Sequence, residues 1–176
     1  ILRAILDIYR RYNPRKEICL CAPTGRAARR MEQSTGLEAS TIHKALGLMA
    51  GEDGDYGEPA ALEADIILVD EVSMMDIHLA GRLLEAVKAN AQIVLIGDSD
   101  QLPSVGPGNV LGDLIDSGII PVVRLNEIFR QAQQSLIVTN AHKIVNGEMP
   151  VLSNTDKDFF FLQRNNKTDV TNVIID

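Results

Sequence analysis

The stretch IILVDEVSMM, residues 66–75, decides the fold of this chain. It begins with four apolar residues and continues with two acids, Asp70 and Glu71. A continuous apolar run of this length is typical of a parallel strand that is buried on both faces. In an open α/β sheet the ligand lies beyond the carboxyl ends of the strands, so we expect both acids to face a ligand crevice.

The residue types at the end of this strand suit a nucleoside triphosphatase. Asp70 is suited to hold Mg²⁺ through water, because this hard cation prefers oxygen ligands and keeps much of its hydration shell. Glu71 points elsewhere and could orient or deprotonate an attacking water. The alternative is a buried strand followed by a helix cap, with two acids that are merely exposed. These residues alone leave both interpretations open.

Length, composition and charge limit the class of protein. The chain has 176 residues, of which 45% are hydrophobic, enough for one domain with a proper core. The formal net charge is -7, so a nucleic-acid partner must be met by a local basic patch. This acidity argues against indiscriminate DNA binding.

Both cysteines of the chain, Cys19 and Cys21, lie in one predicted strand. At this spacing they share a face and are too close in sequence for an ordinary disulfide. We predict reduced core residues of a cytoplasmic protein rather than zinc ligands, since no second Cys or His pair follows at a suitable spacing. No apolar run approaches membrane-spanning length and no signal peptide is evident, so we expect no membrane partner.

Helices and strands alternate along the rest of the chain. The first helix has no N-cap and looks cut from something longer. Further strands are predicted at residues 17–22, 92–97, 122–125 and 159–162. Helices are predicted at residues 1–12, 27–34, 41–46 and 76–89. Two more helices are predicted, one that ends before Gly118 and one that ends at about residue 145. The Gly-rich, acidic residues 47–63 are predicted to form a surface insertion.

The helix after Asp76 has a clear amphipathic pattern. Asp76 is predicted to cap it, and its buried face is expected to include Leu79, Leu83, Leu84 and Val87. The strand at residues 92–97 is predicted to be buried and to deliver polar residues to the same sheet edge as Asp70.

A Thr-Gly turn joins the strand at residues 17–22 to a basic helix. Backbone amides at the helix N-terminus, the Thr24 hydroxyl and the side chains of Arg26, Arg29 and Arg30 together suit a phosphate. The alternative is an ordinary loop followed by a solvated basic face.

Five segments in a fixed order carry a resemblance to a known family. They are CAPTGRAA at 21–28, TIHKALG at 41–47, LVDEVSMMD at 68–76, GDSDQLPSVGPGN at 97–109 and LNEIFRQ at 125–131. This set resembles the first RecA-like motor domain of RecD-type DNA helicases of superfamily 1B, which include the exodeoxyribonuclease V alpha subunit. Five ordered motifs are far more specific than any one alone.

The resemblance implies a fold and a domain organisation. The expected fold class is α/β: a RecA-like P-loop NTPase motor domain, with a mostly parallel sheet and helices on both faces. Residues 1–162 would form this domain, with the surface insertion at 47–63, and residues 163–176 would begin the following segment or linker.

The resemblance also implies roles for individual residues toward DNA. The first segment is similar to motif Ia and implies contact of Thr24, Gly25 and Arg26 with phosphates of single-stranded DNA. The second is similar to the next DNA-contacting motif and implicates Thr41 and His43. The loop after motif III, which contains Pro103, would also touch DNA.

Toward the nucleotide, the resemblance implies ATP and Mg²⁺ as cofactors. Asp70 would bind Mg²⁺ and Glu71 would activate the attacking water, as in a Walker B motif. Gln101 would sense the γ-phosphate. Arg130 would lie against the γ-phosphate like an arginine finger, a charge worth about 10³ to 10⁵ in rate.

One expected motif does not occur in this sequence. The 176 residues contain no phosphate-cradling G-x-x-x-x-G-K-[ST] loop, which the family places before the first helix. Without its backbone amides and lysine, the β- and γ-phosphates lose most of their binding site. We therefore expect that this stretch alone neither hydrolyses ATP nor unwinds DNA.

The function implied for the whole protein is ATP-driven movement along single-stranded DNA, 5′ to 3′, in recombination or repair. Expected partners are single-stranded DNA, duplex junctions and other recombination or nuclease subunits. Two alternatives stay open: the helicase part of a conjugative relaxase, and a catalytically silent nucleic-acid-binding or docking module. A relaxase domain in the same gene would indicate the first, and salt-dependent strand binding without a nucleotide effect would indicate the second.

Overall fold

A computed structural model describes residues 1–48, 57–125, 135–153, 158–164, 166, 168, 170 and 171. The prediction for Arg130, and those for residues 49–56 of the insertion, lie outside the described residues. The chain divides into two compact units, Ile1–Val122 and Val123–Asp176. The predicted domain boundary at residue 162 stays a prediction.

The first unit is built on one parallel sheet of four strands. Its strands are β1 (Ile18–Ala22), β2 (Ser40–Thr41), β3 (Ile66–Val69) and β4 (Gln92–Leu95). The order across the sheet is β2-β1-β3-β4, and every neighbouring pair is parallel. Cys21 aligns with Val69, and Val69 aligns with Leu95, so the strands end almost level at one edge.

Strand β3 is an interior strand of the sheet, and each of its four side chains is apolar. All four residues are fully buried, and alternate residues face the two sides of the sheet. Ile66 and Leu68 join one core cluster, while Ile67 and Val69 join the other. The run that the sequence marked as a buried strand therefore fixes both hydrophobic layers.

Helices cover both faces of the sheet. Helix α1 (Leu2–Tyr12) and helix α2 (Gly25–Thr35) contribute Leu6, Ala28 and Met31 to the core beside Ile66 and Leu68. The opposite layer receives side chains from three helices, α3 (Ile42–Ala45), α4 (Ile77–Ala86) and α5 (Val110–Asp116). This arrangement confirms the predicted α/β class with helices on both faces.

The predicted end and buried face of α4 need correction. The helix ends at Ala86 rather than near Ala89, because Val87 is extended and forms a parallel bridge with Leu62. Leu84 is 62% exposed, whereas Ala80 and Ala86 are buried beside Leu83. A residue next to Leu83 is rotated by about 100° on a helix, which carries Leu84 away from the sheet.

Strand β4 is half-buried rather than fully buried. Gln92 is exposed, and the following three residues are partly covered. In the described part of the chain β4 pairs only with β3, so it forms an edge of this sheet. A strand with one neighbour leaves one row of backbone groups uncovered.

The second unit contains helix α6 (Leu136–Val145). Ser135 caps it, and the carboxylate of Asp158 accepts a hydrogen bond from the Leu136 amide at 3.2 Å. The strands predicted at residues 122–125 and 159–162 are wrong, since neither stretch has regular structure. Val123 is 87% exposed, and an isolated apolar run without a pairing partner does not make a strand.

Candidate nucleotide and nucleic-acid site

The carboxyl ends of the strands gather the predicted site residues at one edge. Thr24 follows β1, Thr41 ends β2, Asp70 follows β3 and Asp98 lies beyond β4. Since all strands are parallel, these positions share one side of the sheet. The structure therefore brings together the candidates that the sequence had drawn from four separate segments.

Asp70 is fixed by two backbone contacts. Its amide donates to the carbonyl of Cys21 at 3.1 Å, which extends the β1–β3 pairing by one residue. Its Oδ1 accepts the amide of Glu71 at 3.0 Å. The half-buried carboxylate thus stands at the tip of a rigid strand with its orientation set by the next residue.

The donor set around Asp70 limits the kind of metal site. Within the described residues, no group of three His, Cys, Asp or Glu side chains could hold a metal ion. A dedicated protein cage of the calcium type therefore does not fit these residues. A single carboxylate that shares an ion with water and phosphate oxygens does fit, and this is the usual mode for Mg²⁺.

Glu71 has an unusual backbone conformation. It is left-handed, with φ 56° and ψ 41°, and Asn90 is the other described non-glycine residue with positive φ. This region costs a non-glycine residue about 1–2 kcal/mol. Glu71 is held there by the 3₁₀ turn Val72–Met74, whose Met74 amide donates to the Glu71 carbonyl at 3.0 Å.

The strain at Glu71 turns the chain sharply at the end of β3. The Val72 amide then donates to the carbonyl of Ile96 at 3.0 Å, which ties the turn to the end of β4. As a result, Glu71 does not continue the extended strand that ends at Val69. Strained backbone of this kind is concentrated at functional sites.

The guanidinium of Arg30 is the side-chain partner of Glu71. Arg30 Nη1 lies 3.8 Å from Glu71 Oε1, with the two side chains 72% and 27% exposed. The sequence placed Arg30 on a phosphate-binding basic face but gave no sign of this pairing. Only the packing of α2 against the sheet brings the two charges together.

Helix α2 begins at Gly25, two residues before the start predicted at residue 27, because Thr24 rather than a later residue forms its N-cap. Thr24 caps the helix, and its Oγ1 accepts the amide of Ala27 at 3.2 Å. Gly25 and Arg26 form the first turn and are exposed. The early amides of a helix lack intrahelical partners and carry the positive end of its dipole, so this end suits an anion.

Thr41 caps helix α3 in the same way as Thr24 caps α2. Its Oγ1 accepts the amide of Lys44 at 3.1 Å and caps the helix. His43 is half-buried, its carbonyl accepts the Leu48 amide at 2.9 Å, and Lys44 is exposed. Lys44 is therefore the more accessible side chain of the two.

The loop after β4 carries Gln101 and Pro103. The Gln101 side chain donates from Nε2 to Asp98 Oδ2 at 3.3 Å, and both residues are exposed. Pro103 is exposed as well. The loop returns to α4, where the Ile77 amide donates to the Pro107 carbonyl at 2.9 Å.

Two features of this edge were not found from the sequence. A Cβ on Gly97 would stand 3.2 Å from the backbone nitrogens of Val72 and Ser73. The second feature is the left-handed Glu71. Neither has a sequence signal, because both depend on how the ends of β3 and β4 meet.

Two remaining predictions concern the state of the two cysteines and membrane-spanning segments. Cys19 and Cys21 are free cysteines; Cys21 is fully buried in the core, and Cys19 is half-buried against the same core cluster. The hydrogen bond with the Cys19 thiol, and then burial, raise the pKa of Cys21 far above its ordinary value. In the described residues, no helix is long and apolar enough to cross a membrane.

Fold and site together define the class of protein. A parallel sheet covered on both faces, with an acid pair beyond its central strand, has the α/β fold of RecA-like domains. The chain has a TM-score of 0.50 to Bacteroides Pif1 bound to single-stranded DNA, at 18% identity over 84% of this chain and 40% of that one. A Pif1 helicase structure at forked duplex DNA gives the same TM-score at 19% identity, over 86% of this chain and 43% of that one.

The family follows from the sequence comparisons. The family model described as an AAA domain matches residues 1–164, and the chain belongs to this family. Several of the curated proteins that the chain matches are named RecD2 or RecD. The ATP-dependent RecD2 DNA helicase of Deinococcus radiodurans is 44% identical over 137 residues, which is 76% of this chain and 18% of that protein.

A second relative belongs to the same group. The RecBCD enzyme subunit RecD of Mycolicibacterium smegmatis is 39% identical over 58% of this chain and 22% of its own length. The chain thus spans about a fifth of the curated relatives that it matches.

Proposed function

We propose that this chain is the Walker B and motif III part of the first motor domain of an ATP-dependent DNA helicase. The whole protein would move along single-stranded DNA, 5′ to 3′, and separate duplex strands in recombination or repair. The observation that carries this proposal is the pairing of Asp70 with a left-handed Glu71 at the carboxyl end of the central strand.

This acid pair divides the chemistry of hydrolysis between two side chains. The Asp70 carboxylate would hold Mg²⁺, and the ion when bound would supply charge neutralisation on the triphosphate of ATP. Glu71, which does not continue the extended strand, would orient the attacking water and accept its proton. Gln101 and Arg130 would act on the γ-phosphate.

The DNA-binding surface would lie along the same sheet edge. The free amides at the start of α2, together with Thr24, Gly25 and Arg26, suit one phosphate of a single strand. Thr41 and His43 of the neighbouring segment would contact the next part of the strand. Such backbone contacts position the strand without reading its sequence.

The exposed loop beyond β4 would complete this surface. Pro103 lies between Leu102, which is 87% exposed, and Val105, which is also fully accessible. Apolar groups on an anchored loop are suited to contact bases, whose faces are apolar. A loop held to α4 through Pro107 would keep these side chains at a fixed height above the sheet.

The names of the relatives support this proposal for the whole protein. One relative is named an ATP-dependent DNA helicase, and another is named a subunit of the RecBCD enzyme. We therefore propose single-stranded DNA and duplex junctions as substrates, further recombination or nuclease subunits as partners, and the cytoplasm as location.

The test is ATP hydrolysis by the full-length protein with and without single-stranded DNA. We expect DNA to stimulate turnover, and Glu71→Gln to lower kcat at least about 100-fold because a general base contributes about 10² to 10⁴. DNA binding by Glu71→Gln should persist. Binding of DNA without any turnover by the wild type would contradict the proposal and favour the silent binding module.

A further inference from the structure

We infer that Arg30 is a positioning residue that holds Glu71 away from the attacking water until DNA is bound. Phosphates of the single strand would then draw Arg30 off, and Glu71 would become free to act as a base. This inference rests on the proposed function and assigns its DNA dependence to one ion pair, Arg30 with Glu71.

Arg30 lies on α2 between the proposed DNA phosphate site and Glu71. Arg26, Arg29 and Arg30 are all exposed, and the spacing of three and four residues puts them on one face of the helix. Arg26 stands at the helix start, beside the proposed phosphate site. Arg30 stands one turn further along and reaches Glu71.

The pair has the strength expected of an exchangeable contact. Its closest atoms are 3.8 Å apart, longer than a good hydrogen bond, and Arg30 is 72% exposed. Water and salt weaken such a pair, so it holds the carboxylate only loosely. A phosphate offers Arg a bidentate partner and is the stronger competitor.

The carboxylate in this pair cannot serve two partners equally well. The Glu71 backbone is fixed by the turn, so its side chain has little freedom except rotation about its own bonds. An oxygen that faces the guanidinium is directed toward α2. Loss of the pair would let the carboxylate turn toward the space beside Asp70.

The first test observes the exchange without any turnover. The Nε–Hε NMR signal of Arg30 in the full-length protein should move on Glu71→Gln, and should move again when an oligothymidylate strand is added to the wild-type protein. The Arg3 signal, from an exposed arginine on α1, should respond to neither. An Arg30 signal that ignores both changes would overturn the inference.

The second test measures ATP hydrolysis by full-length variants. An exposed ion pair is worth little, so Arg30→Ala should raise the DNA-free rate only about two- to fivefold. The DNA-saturated rate should stay near wild type, so the stimulation factor falls by the same amount. Arg30→Lys should keep most of the suppression, and Arg3→Ala should leave both rates unchanged.

The outcomes separate this inference from the proposed function. A DNA-free rate that falls or stays constant in Arg30→Ala would overturn the inference, while DNA-stimulated hydrolysis by the wild type would still support the helicase. A wild type without hydrolysis would contradict the helicase, and the NMR titration would still decide whether DNA displaces Arg30 from Glu71.

Discussion

Gly97 packs directly on the backbone of Ser73. A Cβ at residue 97 would lie 3.2 Å from the Ser73 nitrogen and 2.9 Å from Leu111 Cδ2. The turn that carries Glu71 and the strand that leads to Gln101 therefore meet at a point where an added side chain would be crowded. The predicted Walker B segment and the predicted motif III segment thus touch through the backbone atoms of Ser73 and Gly97.

Substitution of Gly97 by alanine should loosen this junction. Overpacking costs about 1–3 kcal/mol, so the free energy of unfolding of Gly97→Ala should fall by that amount. In chemical denaturation, the control Gly81→Ala should shift stability the other way, by about 0.8–1.0 kcal/mol, because nothing lies within 4 Å of its added methyl and alanine favours a helix. If both variants changed the free energy of unfolding in the same direction, this account would be refuted.

A second prediction concerns the buried amide of Asn140 in the second unit. Its Nδ2 donates to the Val151 carbonyl at 2.9 Å, and its Oδ1 accepts the Val151 amide at 2.7 Å. Asn140 is only 2% exposed, so Asn140→Ala leaves two backbone groups without partners. We expect a loss of about 1–3 kcal/mol.

Hydrogen exchange at the Val151 amide measures this contact directly. Exchange should accelerate in Asn140→Ala but not in the control Asn146→Ala, whose side chain is exposed at the end of α6. Unchanged protection of Val151 in Asn140→Ala would mean that the side chain does not hold this segment.

The sequence predicted the central elements well because their signals are local. An unbroken apolar run identifies β3, and the capping residue Asp76 identifies the start of α4. The same pattern cannot tell a central strand from an edge strand, so β4 was expected to be buried. That difference depends on how many strands pair with it.

The position of Thr24, Asp70 and Glu71 at one sheet edge could be predicted from the sequence, but their contacts could not. Parallel strands deliver their carboxyl ends to one edge, so the grouping of Thr24, Asp70 and Glu71 follows from topology. The pairing of Arg30 with Glu71 depends on the tilt and depth of α2 on the sheet. No periodicity along the chain encodes such a tertiary distance.

A third prediction concerns acid sensitivity and Asp65. Hydrogen bonding to Lys88, and then to the Glu17 amide, lowers the pKa of Asp65 from its ordinary value. The Asp65–Lys88 distance is 3.0 Å. A lowered folded pKa gives stability that is present above the unfolded pKa of about 3.9 and lost as pH falls through the folded pKa.

Acid titration of stability tests this contact. The unfolding free energy of the wild type should fall more between pH 6 and pH 3 than that of Asp65→Asn. Lys88→Gln removes the first cause of the lowered pKa, so it should flatten the same part of the profile, and the double variant should add little. Parallel profiles for wild type and Asp65→Asn would show that Asp65 is not the acid-sensitive group.

A fourth prediction concerns the helix cap at Asp76. Its Oδ1 accepts the Leu79 amide at 2.8 Å, and Gly106 lies so close that an added Cβ would stand 2.8 Å from the Asp76 Cβ. Asp76→Ala should lower the free energy of unfolding by about 1 kcal/mol. Asp76→Asn should retain most of the wild-type stability, because Asn is also a good N-cap. Equal losses in the two variants would exclude capping as the cause.

The last prediction uses the left-handed backbone of Glu71. At most positions alanine is more stable than glycine by about 0.5–1 kcal/mol, because glycine loses more conformational freedom on folding. At φ 56° and ψ 41° the methyl of alanine carries a penalty of about 1–2 kcal/mol that glycine avoids. Glu71→Gly should therefore be more stable than Glu71→Ala by up to about 1 kcal/mol, although both lose the carboxylate and the Arg30 contact.

Chemical denaturation of the two variants decides this point, with the same pair made at Glu85 inside α4 as the control. There alanine should exceed glycine by about 0.8–1.0 kcal/mol, because the backbone is helical. The order should thus reverse between the two sites. If alanine were also the more stable residue at position 71, the chain would not hold this residue in the left-handed region. The sharp turn of the chain at the end of β3 would then need another cause.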